Sequence, residues 1–176
     1  MGVFLARPTN LESRKGVRWL FYAWFPALIM VVAIAIESTH TFSAAHTTSW
    51  LRTLWQAIFG VEGDARWDEI HHHIRKTGHF TGYGLLCITS LRGWMLTFAR
   101  RLRSLPIGAW RARSALMAIC TTVFVASCDE LHQSFMPDRT GTIVDVGIDT
   151  FGGLCFLAVI ALLFWRKRPQ PTSWLA

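Results

Sequence analysis

The chain has 176 residues, of which 52% are hydrophobic and only 16% charged, with nine Trp and twelve Phe. Charged residues make up about 25% of a typical soluble domain, so this composition excludes an ordinary soluble fold and points to one membrane-embedded domain. The net charge of +7 does not imply a nucleic-acid partner, because the basic residues fall in short clusters between apolar runs, as in the loops of a membrane protein.

Residues 1–18 read as a basic arm, 19–165 as a transmembrane domain and 166–176 as a tail. The first span is Trp19 to Ile36, which carries no charge. At about 1.5 Å per residue it covers roughly 27 Å, close to the hydrocarbon thickness of a bilayer. A signal peptide is the competing reading, since basic residues precede the run and Ser43-Ala44-Ala45 has the character of a cleavage site. The apolar run exceeds the about 7–15 residues of a signal core, which favours a retained helix. The second span is His79 to Phe98, weakened by Arg92; the third is Ser114 to Leu131; the fourth is Ile143 to Trp165. Within the Glu37–Arg75 loop, Trp50 to Phe59 repeats apolar residues at helical spacing. That segment predicts an amphipathic helix lying on the membrane surface or packed over the bundle. The expected fold is all-α: a polytopic bundle of four transmembrane helices with an interfacial amphipathic helix in the first outer loop.

Lys and Arg concentrate in the N-terminal arm, in the loop from Arg100 to Arg113, and at Arg166 to Arg168. The Glu37–Arg75 loop instead sets Arg52, Arg66 and Arg75 against Glu37, Glu62, Asp64, Asp68 and Glu69. The positive-inside rule then places both termini in the cytoplasm and the chain in the inner membrane. Trp19, Trp94, Trp110 and Trp165 would form an inner aromatic belt, and Trp50, Trp55 and Trp67 an outer one. The basic Arg100–Arg113 loop reads as a topology determinant in touch with anionic lipid. Cys87, Cys120, Cys128 and Cys155 lie in apolar runs without a Cys-x-x-Cys pair, so buried free thiols are expected. His71-His72-His73 reads as a polar lead-in to the second span or an adventitious metal binder, and residues 169–176 as disordered.

Ionisable groups are expensive in hydrocarbon, and those found there are usually functional. This topology gathers Lys76 and His79, then Asp129, Glu130, His132 and Gln133, then Asp145 and Asp149, at one membrane face. Lys76, His79 and Tyr83 share a helical face; so do Asp129, His132 and Gln133, and so do Asp145, Asp149 and Gly152. Gly78 with Gly82, and Gly152 with Gly153, offer smooth patches for close helix approach. Carboxylates Asp129, Glu130 and Asp145 have the chemistry to hold a divalent cation or to act as acid and base. His79 and His132 could move protons or ligate metal. Arg139 suits bidentate binding of a phosphate, and Lys76 adds a point charge. The competing reading is structural, with Lys76–Asp145 or Arg139–Glu130 as ion pairs locking helix ends.

The run Lys76-x-x-His79-x-x-x-Tyr83, then Asp129-Glu130-x-His132-Gln133-x-Phe135-x-Pro137-x-Arg139, then Asp145-x-x-x-Asp149-Thr150-x-Gly152 resembles the VanZ-like family. The resemblance covers about Trp19 to Trp165. This chain has Asp138 where the family commonly has Gly, and Asp149 where it commonly has Asn. The resemblance implies a cell-envelope membrane protein and, from the founding member, lowered susceptibility to teicoplanin-type glycopeptides.

Two functions follow. One is a binder of a membrane lipid or lipid-linked envelope precursor, with Lys76, His79, Tyr83, Gln133, Arg139, Asp145 and Asp149 forming the site. The other is a hydrolase or transferase acting on a lipid phosphate or lipid-linked glycan, with Glu130 or Asp129 as base, His132 as acid and Arg139 on the phosphate. A transporter would require oligomerisation of so few helices. Neither a cofactor nor an oligomeric state is fixed by the sequence, a divalent cation being compatible with the donor set.

Overall fold

The computed structural model describes residues 2–8, 16–40, 44–137 and 139–166, so expectations for Asp138 and for residues 169–176 lie outside the described residues. The described residues are helical with no strand. The elements are α1 (Gly2–Leu5), α2 (Gly16–Glu37), α3 (Ala44–Phe59), α4 (Asp64–Arg101), α5 (Ile107–Gln133) and α6 (Ile143–Ile160). A π-helical turn, Ala161–Trp165, prolongs α6.

Helix α4 is the mast of the bundle. Its 38 residues extend roughly 57 Å, and α2, α5 and α6 all pack against it. Side-chain contacts fix the directions. Trp19–Arg100, Trp24–Thr97 and the clustering of Ile34 with Tyr83 join α2 to α4, and Tyr83–Asp129, Trp94–Thr121 and Trp110–Met95 join α5 to α4, both antiparallel. Lys76–Asp145, His79–Asp149 and the contact of Gly84 with Phe156 run in the same sense, so α6 is parallel to α4.

Among the described residues, three helices are long and apolar enough to cross a membrane: Gly16–Glu37, Ile107–Gln133 and Ile143–Trp165. Their outward faces expose large apolar side chains, among them Leu20, Phe25, Ile29, Phe124, Phe151 and Leu163. A soluble protein rarely leaves so much contiguous apolar surface uncovered. The expected second span lies inside α4, which lacks a comparable apolar window. The physical reason is its central position. Tyr83, Gly84, Leu86, Ser90, Met95 and Thr97 of α4 are buried by neighbouring helices rather than lipid, so small and polar residues serve there. Thr97 donates to the Gly93 carbonyl, and Arg92 donates to the carbonyls of Tyr22 and Ala23.

Close approach is made at the expected Gly152 and Gly153 but not at Gly78 and Gly82. Gly78 and Gly82 face open space. Contact is made at Gly93 against Trp24, at Gly84 against Phe156, and at Gly152, whose α-carbon faces the Phe80 carbonyl. Gly153 meets Thr122 and Cys87, so the expected Gly152–Gly153 patch is a point of close approach.

The aromatic belts also need correction. Trp67 and Trp110 are fully buried and Trp19 nearly so, whereas Trp50 is exposed. Arginines cover the indoles at the Trp110 end of the bundle. Arg7 lies over Trp110, Arg100 over Trp19 and Arg111 over Trp165, at 5.0 to 5.7 Å from the ring centres. Arg111, expected in a lipid-facing loop, is buried and donates to the carbonyls of Leu5 and Trp165. Arg7 donates to the carbonyls of Arg103 and Leu105, which draws α1 onto this end. The four thiols are free, but Cys120 and Cys128 are exposed rather than buried.

Helix α3 contains the expected Trp50–Phe59 segment and leaves Trp50, Leu54, Ile58 and Phe59 exposed. It docks on α4 through polar groups. Thr47 and Thr48 hydroxyls each lie 3.1 Å from a ring nitrogen of His71, and Arg52 pairs with Asp64 at 2.8 Å. Burial, with Arg75 nearby, holds the His71 pKa below the usual histidine range, against a weaker opposing pull from Asp68. The folded state therefore holds the neutral ring. Its contribution is complete above the unfolded value of about 6.5 and is lost as pH falls through the lower folded value. Acidification from about pH 7.5 to 5 is expected to raise hydrogen exchange in α3 and change Trp67 fluorescence, because that indole stacks on His71. A parent protein with a flat response would remove His71 as the cause.

Candidate functional site

The polar cluster forms where the C-terminal ends of α2 and α5 meet the middle of α4 and the start of α6. A cavity of about 180 Å³ opens there, lined by Arg75, Lys76, His79, Glu130, Arg139, Asp145 and Asp149 among others. It lies at one end of the bundle, beyond the apolar core around Leu91, Met95 and Trp110.

The loop from α5 to α6 builds one wall. Thr142 caps α6 reciprocally: its hydroxyl accepts from the Asp145 amide at 3.2 Å and donates to the Asp145 carboxylate at 2.7 Å. The Thr142 amide donates to Glu130 Oε2 at 2.9 Å, so Glu130 fastens the loop onto the end of α5. Gly141 is required in this turn, since a Cβ there would overlap the Glu130 carbonyl oxygen. Arg139 completes the wall. Its Nη2 donates to the carbonyls of Glu37 at 2.7 Å and Thr39 at 3.1 Å, satisfying orphan groups at the end of α2. Its Nε and Nη1 are buried without a protein partner. Burial, with Arg75 close by, lowers its pKa, partly offset by Asp129 and Glu130. That shift leaves a guanidinium charged at neutral pH.

Helices α4 and α6 supply the floor. Lys76 Nζ stands 3.7 Å from Asp145 Oδ1, and His79 Nδ1 stands 3.8 Å from Asp149 Oδ1. The Lys76–Asp145 lock expected on the structural reading is therefore present, whereas the hydrogen-bond partners of Arg139 are carbonyls rather than Glu130. Asp149 is 1% exposed, and its Oδ2 has no hydrogen-bond partner. The His79 ring stacks on Tyr83 at 6.2 Å.

Asp129 is set behind this floor. The Tyr83 hydroxyl donates to Asp129 Oδ2 at 2.9 Å, and Gln133 Nε2 donates to the same oxygen at 3.0 Å. Gln133 also approaches the Ser38 hydroxyl at 3.3 Å, tying α2 into the network. Tyr83, Asp129 and Gln133 are all buried, so this triad positions α5 against α4. His132 is exposed and does not line the cavity. Two residues along an α-helix turn by about 200°, so His132 points away when Glu130 points in. The expected pairing of Glu130 as base with His132 as acid is not formed; His79 is the imidazole beside Glu130.

The lining also includes His72, Arg75, Thr140 and Ile148, which the sequence reading does not place in the site. Arg75 reads in the sequence as a loop charge and His72 as part of a histidine run, yet both line the cavity. His72, Arg75, Lys76, His79 and Tyr83 follow one stripe at i, i+3, i+4, i+7 and i+11, so carrying the helical period one turn backward would have found them.

Neither a curated protein nor a solved structure matches the chain. The model of one family, described as VanZ/LLP1, matches residues 19–165, the stretch that contains every residue of the cavity wall and floor. The chain belongs to the VanZ/LLP1 family.

Proposed function

We propose that this protein binds the phosphorylated headgroup of a phospholipid or lipid-linked envelope precursor in the cavity, from the outer leaflet of the cytoplasmic membrane. The observation that carries this is a polar cavity lined by Arg75, Lys76 and Arg139, set at one end of the bundle. Cations in a half-enclosed site favour a phosphate, and the flanking apolar surface suits acyl or prenyl chains. In this reading α4 crosses the bilayer as a fourth span, since it lies between three apolar helices. Both termini are cytoplasmic, in keeping with the basic end formed by Arg7, Arg100 and Arg111. The exposed Trp50–Leu54–Ile58 stripe of α3 rests on the outer leaflet. Lowered glycopeptide susceptibility would follow from occupancy of an envelope precursor.

The test is lipid mass spectrometry of protein extracted in mild detergent. The parent is expected to retain a phosphorylated lipid enriched over the bulk membrane. Arg75→Gln/Lys76→Gln, which leaves the buried wall untouched, is expected to lose at least tenfold of it. Equal lipid profiles in both preparations would sink the proposal.

One observation favours a second reading, that of a hydrolase or transferase on the same lipid. Glu130 is buried, one of its oxygens is held by Thr142, and His79 and Asp149 stand beside it. Glu130→Gln keeps an oxygen for the Thr142 amide but removes the base. An enzyme is then expected to lose about 10²–10⁴-fold in turnover of the retained lipid while staying folded. Turnover unchanged in this variant, or absent in the parent, would leave the binding reading alone.

A further inference from the structure

Three donors of metal-ligand type meet in the cavity floor. One ring nitrogen of His79 and one carboxylate oxygen each from Glu130 and Asp149 all lie within 4.8 Å of one another. The 3.8 Å between His79 Nδ1 and Asp149 Oδ1 exceeds a hydrogen bond, which for N–H···O spans about 2.7–3.2 Å. It is within the about 4.2 Å that two donors on opposite sides of one cation span with bonds of about 2.1 Å. Asp149 supplies an independent sign. It is 99% buried, being 1% exposed, yet its Oδ2 has no hydrogen-bond partner. A buried carboxylate oxygen without a partner is costly, and a proton on His79 faces Oδ1 alone. Glu130, 6% exposed, brings a second carboxylate into the same space.

We propose that His79, Glu130 and Asp149 bind a divalent transition-metal cation, Zn²⁺ or Mn²⁺. One imidazole and two carboxylates suit these ions better than Ca²⁺ or Mg²⁺, which favour all-oxygen shells. No thiolate takes part, so a soft cation such as Cu⁺ is disfavoured. The Thr142 amide orients the Glu130 carboxylate, as outer hydrogen bonds commonly do for metal ligands. At the tetrahedral angle such donors stand about 3.4 Å apart, so closing the shell requires donors that now lie within 4.8 Å to draw together by about an ångström. Three protein ligands leave further positions open on the side of Arg75 and Lys76, where a phosphate oxygen or water can complete the shell. That last step rests on the lipid-phosphate reading; the cation site itself does not.

The test uses the full chain in detergent, stripped with chelator and titrated with Mn²⁺ alone, with no lipid added. Electron spin-echo spectroscopy of the parent is expected to show one bound Mn²⁺ per chain, with modulation from a single imidazole nitrogen, displaced by Zn²⁺. Asp149→Asn and His79→Gln are expected to weaken binding by at least about tenfold. His73→Ala, in the exposed histidine run, is expected to bind as the parent does. Absence of stoichiometric binding in the parent, a spectrum without nitrogen modulation, or loss of binding in His73→Ala would overturn the proposal. The parent spectrum decides even if a ligand variant fails to fold. Retained phosphorylated lipid without Mn²⁺ binding would sink the cation site and leave the lipid reading standing; Mn²⁺ binding without enriched lipid would do the reverse.

Discussion

Gly152→Ala is expected to part α4 from α6 and cost about 3 kcal/mol of stability. A Cβ at Gly152 would overlap the Phe80 carbonyl oxygen. Backbone faces backbone there, so no flexible side chain can yield. The same contact holds the register in which Lys76 meets Asp145 and His79 meets Asp149. Displacing α6 therefore removes the cavity floor as well as the packing. Gly147 provides the control on the same helix, because it faces open space. Gly147→Ala is expected to be neutral or to stabilise by up to about 1 kcal/mol through helix propensity alone. Unfolding in detergent followed by circular dichroism would compare the two. Equal midpoints would mean that α4 and α6 do not approach each other at Gly152.

Arg139→Ala should have the second large effect, expected at about 3 kcal/mol. It removes two charge-assisted hydrogen bonds, to the carbonyls of Glu37 and Thr39, each of a kind worth about 1.5–3 kcal/mol. It also leaves a void between the α5–α6 loop and the end of α2, because Arg139 is 7% exposed. Arg139→Lys restores a charge but not the planar fork, and is expected to recover less than half of the loss. Hydrogen exchange would locate the effect. Protection should fall in residues 134–142 and at the end of α2, and stay unchanged around Trp110 at the far end. Unaltered protection beside the substitution would show that Arg139 does not tie the loop to α2.

Periodicity made part of this legible in the sequence. Lys76, His79 and Tyr83 on one helix, and Asp145, Asp149 and Gly152 on another, follow a geometry that any α-helix imposes, and the two stripes do meet. Other features depend on which helix lies in the middle, and that is a tertiary fact. With α4 enclosed, its polar Ser90 and Thr97 are compatible with a membrane bundle, and its hydropathy falls below the level of a lipid-facing span. The same enclosure takes Trp67 and Trp110 out of the expected belts. Gly78 and Gly82 had suitable spacing but face away from a partner, because spacing specifies a face and not its neighbour. His132 shows how coarse a shared face is. It lies three residues from Asp129, within the same broad sector, yet on the edge opposite Glu130. Hydrogen bonds to backbone carbonyls, as for Arg139 and Arg111, leave no pattern in side-chain spacing at all.

The enclosure of α4 also bears on how the chain enters the bilayer. Insertion machinery weighs each emerging segment against lipid by its own side chains, and α4 carries Arg92 and few strongly apolar stretches. On the four-span reading, α4 is expected to be retained poorly when it emerges behind α2 alone. Arg92 and Thr97 have partners on α2, but Tyr83, Trp94 and His79 find theirs only once α5 and α6 have been synthesised. Nascent chains truncated before Ile107 should therefore leave α4 accessible to aqueous labelling, and chains extended through Trp165 should protect it. The helix at the centre of the folded bundle would then be among the last to commit to the membrane.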